Sequence, residues 1–215
     1  HLTLAKAKIS KILFFRAGAF PPQAGNSPRR ESKTGEFAPI AAIPVNAVVS
    51  DMVLSADSSW LYLFNVSEGK VQRINTSTSI LDNVSAKVME GSEGMCASSD
   101  RTKLVTFVSL CGHDATNSQG EKRPLEGKFQ TIDASAMTLT STFSASVDPF
   151  DIETTDRGML IVSGGSGQSS ELSVIDMKTT SIHLRANRFS AKSTIRLHPD
   201  QQRIYVATPS EISCF

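Results

Sequence analysis

The chain has 215 residues, with Lys+Arg 22 against Asp+Glu 21 and a formal net charge of +1 at pH 7. That balance excludes a global basic field for nucleic acid or an anionic membrane surface. A hydrophobic content of 40% with 20% charged residues excludes wholesale disorder. Thirty Ser and 17 Thr disfavour a helical protein and suit strands and turns.

Near the N-terminus, Lys6, Lys8 and Lys11 lead into Ile12-Leu13-Phe14-Phe15. Four apolar residues before Arg16 are fewer than the ~7–15 of a secretory signal, and no apolar run approaches the ~20 residues of a spanning helix. No membrane span is expected. Residues 12–15 read as a strand, and residues 21–35, rich in Pro, Gly and Ser, as a surface loop carrying Arg29-Arg30. Glu31-Ser-Lys-Thr-Gly35 resembles Asp176-Met-Lys-Thr-Thr180 further on, so residues 1–46 read as part of a repeating unit.

The units become explicit downstream. Four segments align on an aspartate: Leu54-Ser-Ala-Asp57, Ala97-Ser-Ser-Asp100, Glu153-Thr-Thr-Asp156 and Leu197-His-Pro-Asp200. Each is followed four residues after the Asp by an apolar strand, starting at Leu61, Leu104, Leu160 and Ile204. This predicts a hairpin with Asp57, Asp100, Asp156 or Asp200 in the turn, where a short carboxylate bonds local backbone. A third strand ends on Ile74-Asn75, Ile132-Asp133 and Ile175-Asp176, and a fourth runs over residues 79–84, 138–143 and 181–184. From that Ile to the next turn Asp the spacing is 26, 24 and 25 residues. From turn Asp to Ile it is 17, 32 and 19, so the excess sits in one loop of the second unit.

Four strands per ~40–45 residues is the blade of a β-propeller, which buries its faces only by stacking on neighbouring blades around an axis. The expected fold is therefore all-β, with antiparallel four-stranded blades at about 47–90, 91–146 and 147–190 and partial blades at 1–46 and 191–215. The segments Leu197-His-Pro-Asp200-Gln-Gln-Arg-Ile-Tyr-Val-Ala207 and Leu172-Ser-Val-Ile-Asp176-Met-Lys-Thr179 resemble the YVTN-type repeat of YncE-like and lactonase-like propellers. The chain departs from WD40 repeats, having no Trp-Asp pair and a single Trp, Trp60. The resemblance implies a seven-bladed ring, of which this chain supplies three whole blades and two partial ones. Either further blades, from the same or another chain, complete it, or the ring closes with fewer blades.

Candidate chemistry concentrates in the enlarged loop at residues 109–128, because long loops on a rigid scaffold tend to carry function. It holds Cys111 and the candidate binding residues His113, Asp114, Asn117, Lys122 and Arg123. Residues 65–70 and 164–171 should share its side of the molecule. Cys-x-His-Asp is too short and isolated to predict a metal, so no metal, cofactor or catalytic residue is assigned. Gly164-Gly165-Ser166-Gly167 lacks the Lys-Ser/Thr of a phosphate loop and reads as a hairpin loop. Asp51, Asp151 and Glu153, on the channel-lining first strands, show no repeated ligand position. His183 and His198 read as packing or surface residues, and Cys96, Cys111 and Cys214 as free buried thiols. Three sequons, at Asn65, Asn75 and Asn83, lean toward a secreted or periplasmic protein. The function expected is a non-catalytic scaffold presenting loops to a protein or glycan partner. The alternative is a lactonase-like hydrolase with a metal in the central channel.

Overall fold

A computed structural model describes residues 8–16, 38–111, 124–164, 170–189 and 193–215, and every regular element among them is a β-strand. Blade 1 contains β2 (Ala38–Leu54), β3 (Trp60–Asn65), β4 (Lys70–Asn75) and β5 (Ile80–Lys87), with β1 (Lys8–Arg16) paired antiparallel to the first half of β2. Blade 2 contains β6 (Gly94–Ala97), β7 (Lys103–Ser109), β8 (Gly127–Asp133) and β9 (Thr138–Ala145). Blade 3 contains β10 (Pro149–Thr154), β11 (Met159–Gly164), β12 (Ser170–Asp176) and β13 (Ile182–Phe189). Blade 4 contains β14 (Thr194–Leu197), β15 (Ile204–Ala207) and β16 (Ile212–Cys214). Every sheet is antiparallel and ordered as the chain runs. The fold is a β-propeller.

Alternation along the second strands explains the stacking, because successive side chains leave opposite faces. On β3, Tyr62 and Phe64 face blade 2 and meet Met95, Leu104 and Ile132, while Leu61 and Leu63 face back toward Ile43 and Val45. On β7, Val105 and Phe107 meet Ile152, Leu160 and Val162 of blade 3. On β11, Ile161 joins Leu172 against Ile195, Ile204 and Val206 of blade 4. In blades 1 to 3 the leading face is thus covered by the next blade and in blades 2 to 4 the trailing face by the one before, while Ile43 and Val45 of the first half of β2 cover the trailing face of blade 1.

The Ile-[Asn/Asp] motif closes the third strand with a turn of fixed chemistry. The Ser77 and Thr78 amides donate to Asn75 Oδ1 at 3.0 Å each. The Ser135 and Ala136 amides donate to Asp133 (2.9 and 2.8 Å), and those of Lys178 and Thr179 to Asp176 (2.7 and 3.1 Å). Four residues after the motif the chain takes positive φ, at Ser79, Met137 and Thr180. This turn is tied to its hairpin neighbour by one recurring bond: Thr76, Ala134 and Met177 amides donate to the carbonyls of Ser59, Thr102 and Gly158.

The first hairpin departs from the sequence alignment in one unit. Asp57, Asp100 and Asp200 accept the amides of Ser59, Thr102 and Gln202, each at 3.0 Å, as a turn aspartate should. Asp156 does not hold this position. Pairing Thr154 with Leu160, against Leu54 with Leu61, makes the third hairpin one residue shorter. Thr155 Oγ1 takes the amides of Arg157 and Met159 instead, and Gly158 supplies the positive φ.

Candidate functional site

The inner strands β2, β6, β10 and β14 line a groove along the axis, a cavity of about 470 Å³ that extends to the first-hairpin turns. Its polar lining includes Asp51, Asp151, Glu153, Arg101 and Arg196. Cross-strand pairing places Asp51 opposite Phe64, Gly94 opposite Phe107, Asp151 opposite Ser163 and Thr194 opposite Ala207. These four residues therefore share one register position. The expectation that Asp51 and Asp151 share no repeated position is corrected: they hold the same position of blades 1 and 3.

The two carboxylates perform the same task. Asp51 Oδ2 accepts the Met95 amide of blade 2 at 3.1 Å, and Asp151 Oδ2 accepts the Ile195 amide of blade 4 at 2.9 Å. Each fastens its inner strand to the next one at a point where backbone donors would otherwise face the groove. Blade 2 has Gly94 there, where a Cβ would lie 2.6 Å from the Phe107 ring, and Asp151 Oδ1 takes the Ile152 amide of its own strand. Arg196 Nη1 lies 2.9 Å from Asp151 Oδ2 and 3.6 Å from Glu153.

Burial is the main influence on these acids. It raises the carboxyls of Asp51 and Asp151 against the bonds from Met95 and Ile195. It pushes Glu153 to about 7, with Arg196 opposing and Asp151 reinforcing the rise. The Cys96 thiol, buried beside the same acids, is raised well above its ordinary value. A carboxyl that titrates near neutrality, beside a cation, can exchange a proton. Among the described residues no three metal-binding side chains come together.

On the rim opposite the first-hairpin turns, the enlarged loop grows from a stiff base. β7 and β8 pair up to Ser109 and Gly127, and the Leu110 amide donates to the Glu126 carbonyl at 2.9 Å. Ser109 Oγ donates to the buried Asp148 at 2.6 Å and lies 3.3 Å from the buried Cys111 thiol. His113, Asp114, Asn117, Lys122 and Arg123, like Gly165 to Ser169, lie outside the described residues.

Other assignments resolve individually. Cys96 and Cys111 are buried free thiols, but Cys214 is exposed, contrary to expectation, because it sits on the last strand of the last blade. His183 is on the surface, and His198 Nδ1 lies 2.9 Å from Asp200. Asn65 is buried, donating to Gln72 and accepting from Ser67 and Glu68, whereas Asn83 is exposed on β5. Among the described residues no helix is long and apolar enough to cross a membrane.

Comparison with solved structures supports the fold. The chain is similar to Kuenenia stuttgartiensis hydrazine synthase, with a TM-score of 0.59 and 16% identity over 81% of this chain and 47% of that one. It is also similar to the β-propeller domain of Myceliophteria thermophila Cps50 (Swd1), with a TM-score of 0.56 and 12% identity over 78% of this chain and 50% of that one. The chain thus spans about half the length of each. No family model and no curated protein matches it.

Proposed function

We propose that the chain is a non-catalytic interaction module, a propeller scaffold of the YVTN type whose enlarged rim loop captures a protein or glycan partner. The observation that carries this reading is the base of that loop. A hydrogen-bonded ladder, a buried Ser109–Asp148 bond and a buried Cys111 hold the strand ends on either side of residues 112–123. The axial carboxylates support the same reading, since Asp51 and Asp151 are engaged in joining blades.

The test replaces residues 112–123 with a short Gly-Ser turn and compares partner capture by pull-down. Capture should be lost while the thermal midpoint stays put, because the Leu110–Glu126 pair remains. Individual alanine substitutions at His113, Asp114, Asn117, Lys122 and Arg123 then locate the contact. Unchanged capture after loop replacement would overturn the reading.

A further inference from the structure

Strand β2 changes partner part-way along. Up to Val48 it pairs with β1, and from Val49 onward it pairs with β3. The ladder to β3 breaks between Val49 and Asp51, leaving the exposed Ser50 as a bulge. The Val66 amide donates to the Val48 carbonyl at 2.8 Å, and the Val48 amide to Ser67 Oγ at 3.3 Å. On the other side of the bulge, Asp51 accepts Ser50 Oγ at 2.8 Å and the Met95 amide of blade 2. The junction between the two halves is therefore fixed to blades 1 and 2. Cross-strand pairing sets Leu61 opposite Ile74 in blade 1, Leu104 opposite Ile132 in blade 2 and Leu160 opposite Ile175 in blade 3. In blades 2 and 3 this pair belongs to the trailing face and packs on the blade before, against Tyr62 and Phe64 or against Val105 and Phe107. In blade 1 the same pair, with Leu63, packs on Ile43 and Val45. Ile43 and Val45 are 5% and 4% exposed, and Leu63 and Ile74 beneath them 1% and 0%. The first half of β2 thus does for blade 1 what a whole preceding blade does for blades 2 and 3.

We propose that β1 and the first half of β2 form a hinged cap, which seals the trailing face of blade 1 and opens about residues 48–51 without unfolding the blades. A two-stranded ribbon is marginally stable by itself, so it keeps its form only while docked. What holds it docked is a small aliphatic cluster of Ile43, Val45 and Val49 on Leu61, Leu63, Ile74 and Leu81. The clusters joining blades 1 to 3 are larger and contain Phe64, Phe107 and Phe129. Local opening starts where the least apolar surface is buried, which selects the cap before any blade. The bulge at Ser50 supplies the pivot, because the bonds at Val48 and Asp51 hold the strand on either side of it. With the cap displaced, Leu61, Leu63, Ile74 and Leu81 become an apolar face of the kind that joins blades elsewhere. The cap therefore decides whether blade 1 is a sealed end or an open docking face. It makes no use of residues 112–123, so it and the proposed partner site stand or fall separately.

Leu63→Cys places a thiol under the cap, and Cys96, buried between blades 2 and 3, is the internal control. N-ethylmaleimide labelling of residues 1–215 under native conditions is followed per cysteine by mass spectrometry, with the exposed Cys214 setting the fast limit. The introduced thiol should label well below the Cys214 rate. Adding Ile43→Asp should speed it about tenfold or more while Cys96 stays protected. Labelling at the Cys214 rate without Ile43→Asp, or at an unchanged rate with it, would overturn the proposal. So would a rise at Cys96 in step with the introduced thiol, since the chain would then be opening as a whole. The unmutated chain gives a second measurement by hydrogen exchange. Residues 38–48 should exchange together with β1 and ahead of β7, β8 and β11. Exchange in step with β7 and β8 would rule out a hinge. Protection of residues 38–48 that disappears on dilution would also rule it out, since the ribbon would then be covering a second copy.

Discussion

Glu153→Gln should stabilise the protein at pH 8 and leave it nearly unchanged at pH 5. Glu153 lies in the axial groove with its side chain 23% exposed, and burial raises its carboxyl from an ordinary 4.5 to about 7. The folded chain therefore holds this proton more tightly than the unfolded chain does. As pH rises from about 4.5 toward 7, the unfolded state releases the proton first, so the stability present at low pH is lost. At about 1.4 kcal/mol per pH unit the ceiling is ~3 kcal/mol. Water at the groove mouth reduces it to the order of 2 kcal/mol. Asp51 and Asp151 are raised by the same cause and add a slope of the same sign. Urea denaturation at pH 5, 6, 7 and 8 reads the effect directly. The wild-type midpoint should fall over this range, and the Gln variant should fall less, the gap between them opening above pH 5 and levelling off above pH 7. Gln keeps the shape of the side chain, so packing is not a confounder. Parallel curves for the two proteins, or a Gln variant weaker at pH 8, would refute the reasoning.

Two further perturbations probe other layers of the structure. A Cβ at Gly164 would lie 1.8 Å from the Asp148 carbonyl oxygen, and backbone cannot yield as a side chain can. Gly164→Ala should therefore cost about 3 kcal/mol or more in thermal or urea unfolding; a loss below 1 kcal/mol, about that of an ordinary surface change, would contradict the close approach. The sequons should behave differently when the chain is secreted from eukaryotic cells. Asn83→Gln should remove a glycosidase-sensitive mass shift, and Asn65→Gln should not, because Asn65 is buried and bonded through both amide atoms.

Much of the fold was legible in the sequence because the turns carry it. Ile74-Asn75, Ile132-Asp133 and Ile175-Asp176 each combine a buried strand residue with a side chain that ends the strand, so one dipeptide marks both packing and topology. Asp156 misled because the third hairpin lost a residue between the inner strand and the turn. Counting from the aspartate keeps β11 in phase but shifts β10 by one. The same slip hid the kinship of Asp51 and Asp151, six and five residues before their turn aspartates. Counting back from Leu54, Ala97, Thr154 and Leu197, the last inner-strand residues, would have aligned them. Their function was not readable even then, because fastening an inner strand to the next depends on the angle between blades. That angle is set by the apolar side chains stacked behind them.

The recurring bond between the two turn types has a consequence for how this molecule can change over time. Thr76 to Ser59, Ala134 to Thr102 and Met177 to Gly158 tie together the two turns of each of blades 1 to 3 on one rim. An insertion there would have to break such a tie and an Asx turn together. On the other rim the loops run from the four residues between β3 and β4 to the seventeen between β7 and β8. Variation in length is thereby channelled to one end of the propeller, while at the opposite end each blade keeps its two turns at a fixed spacing.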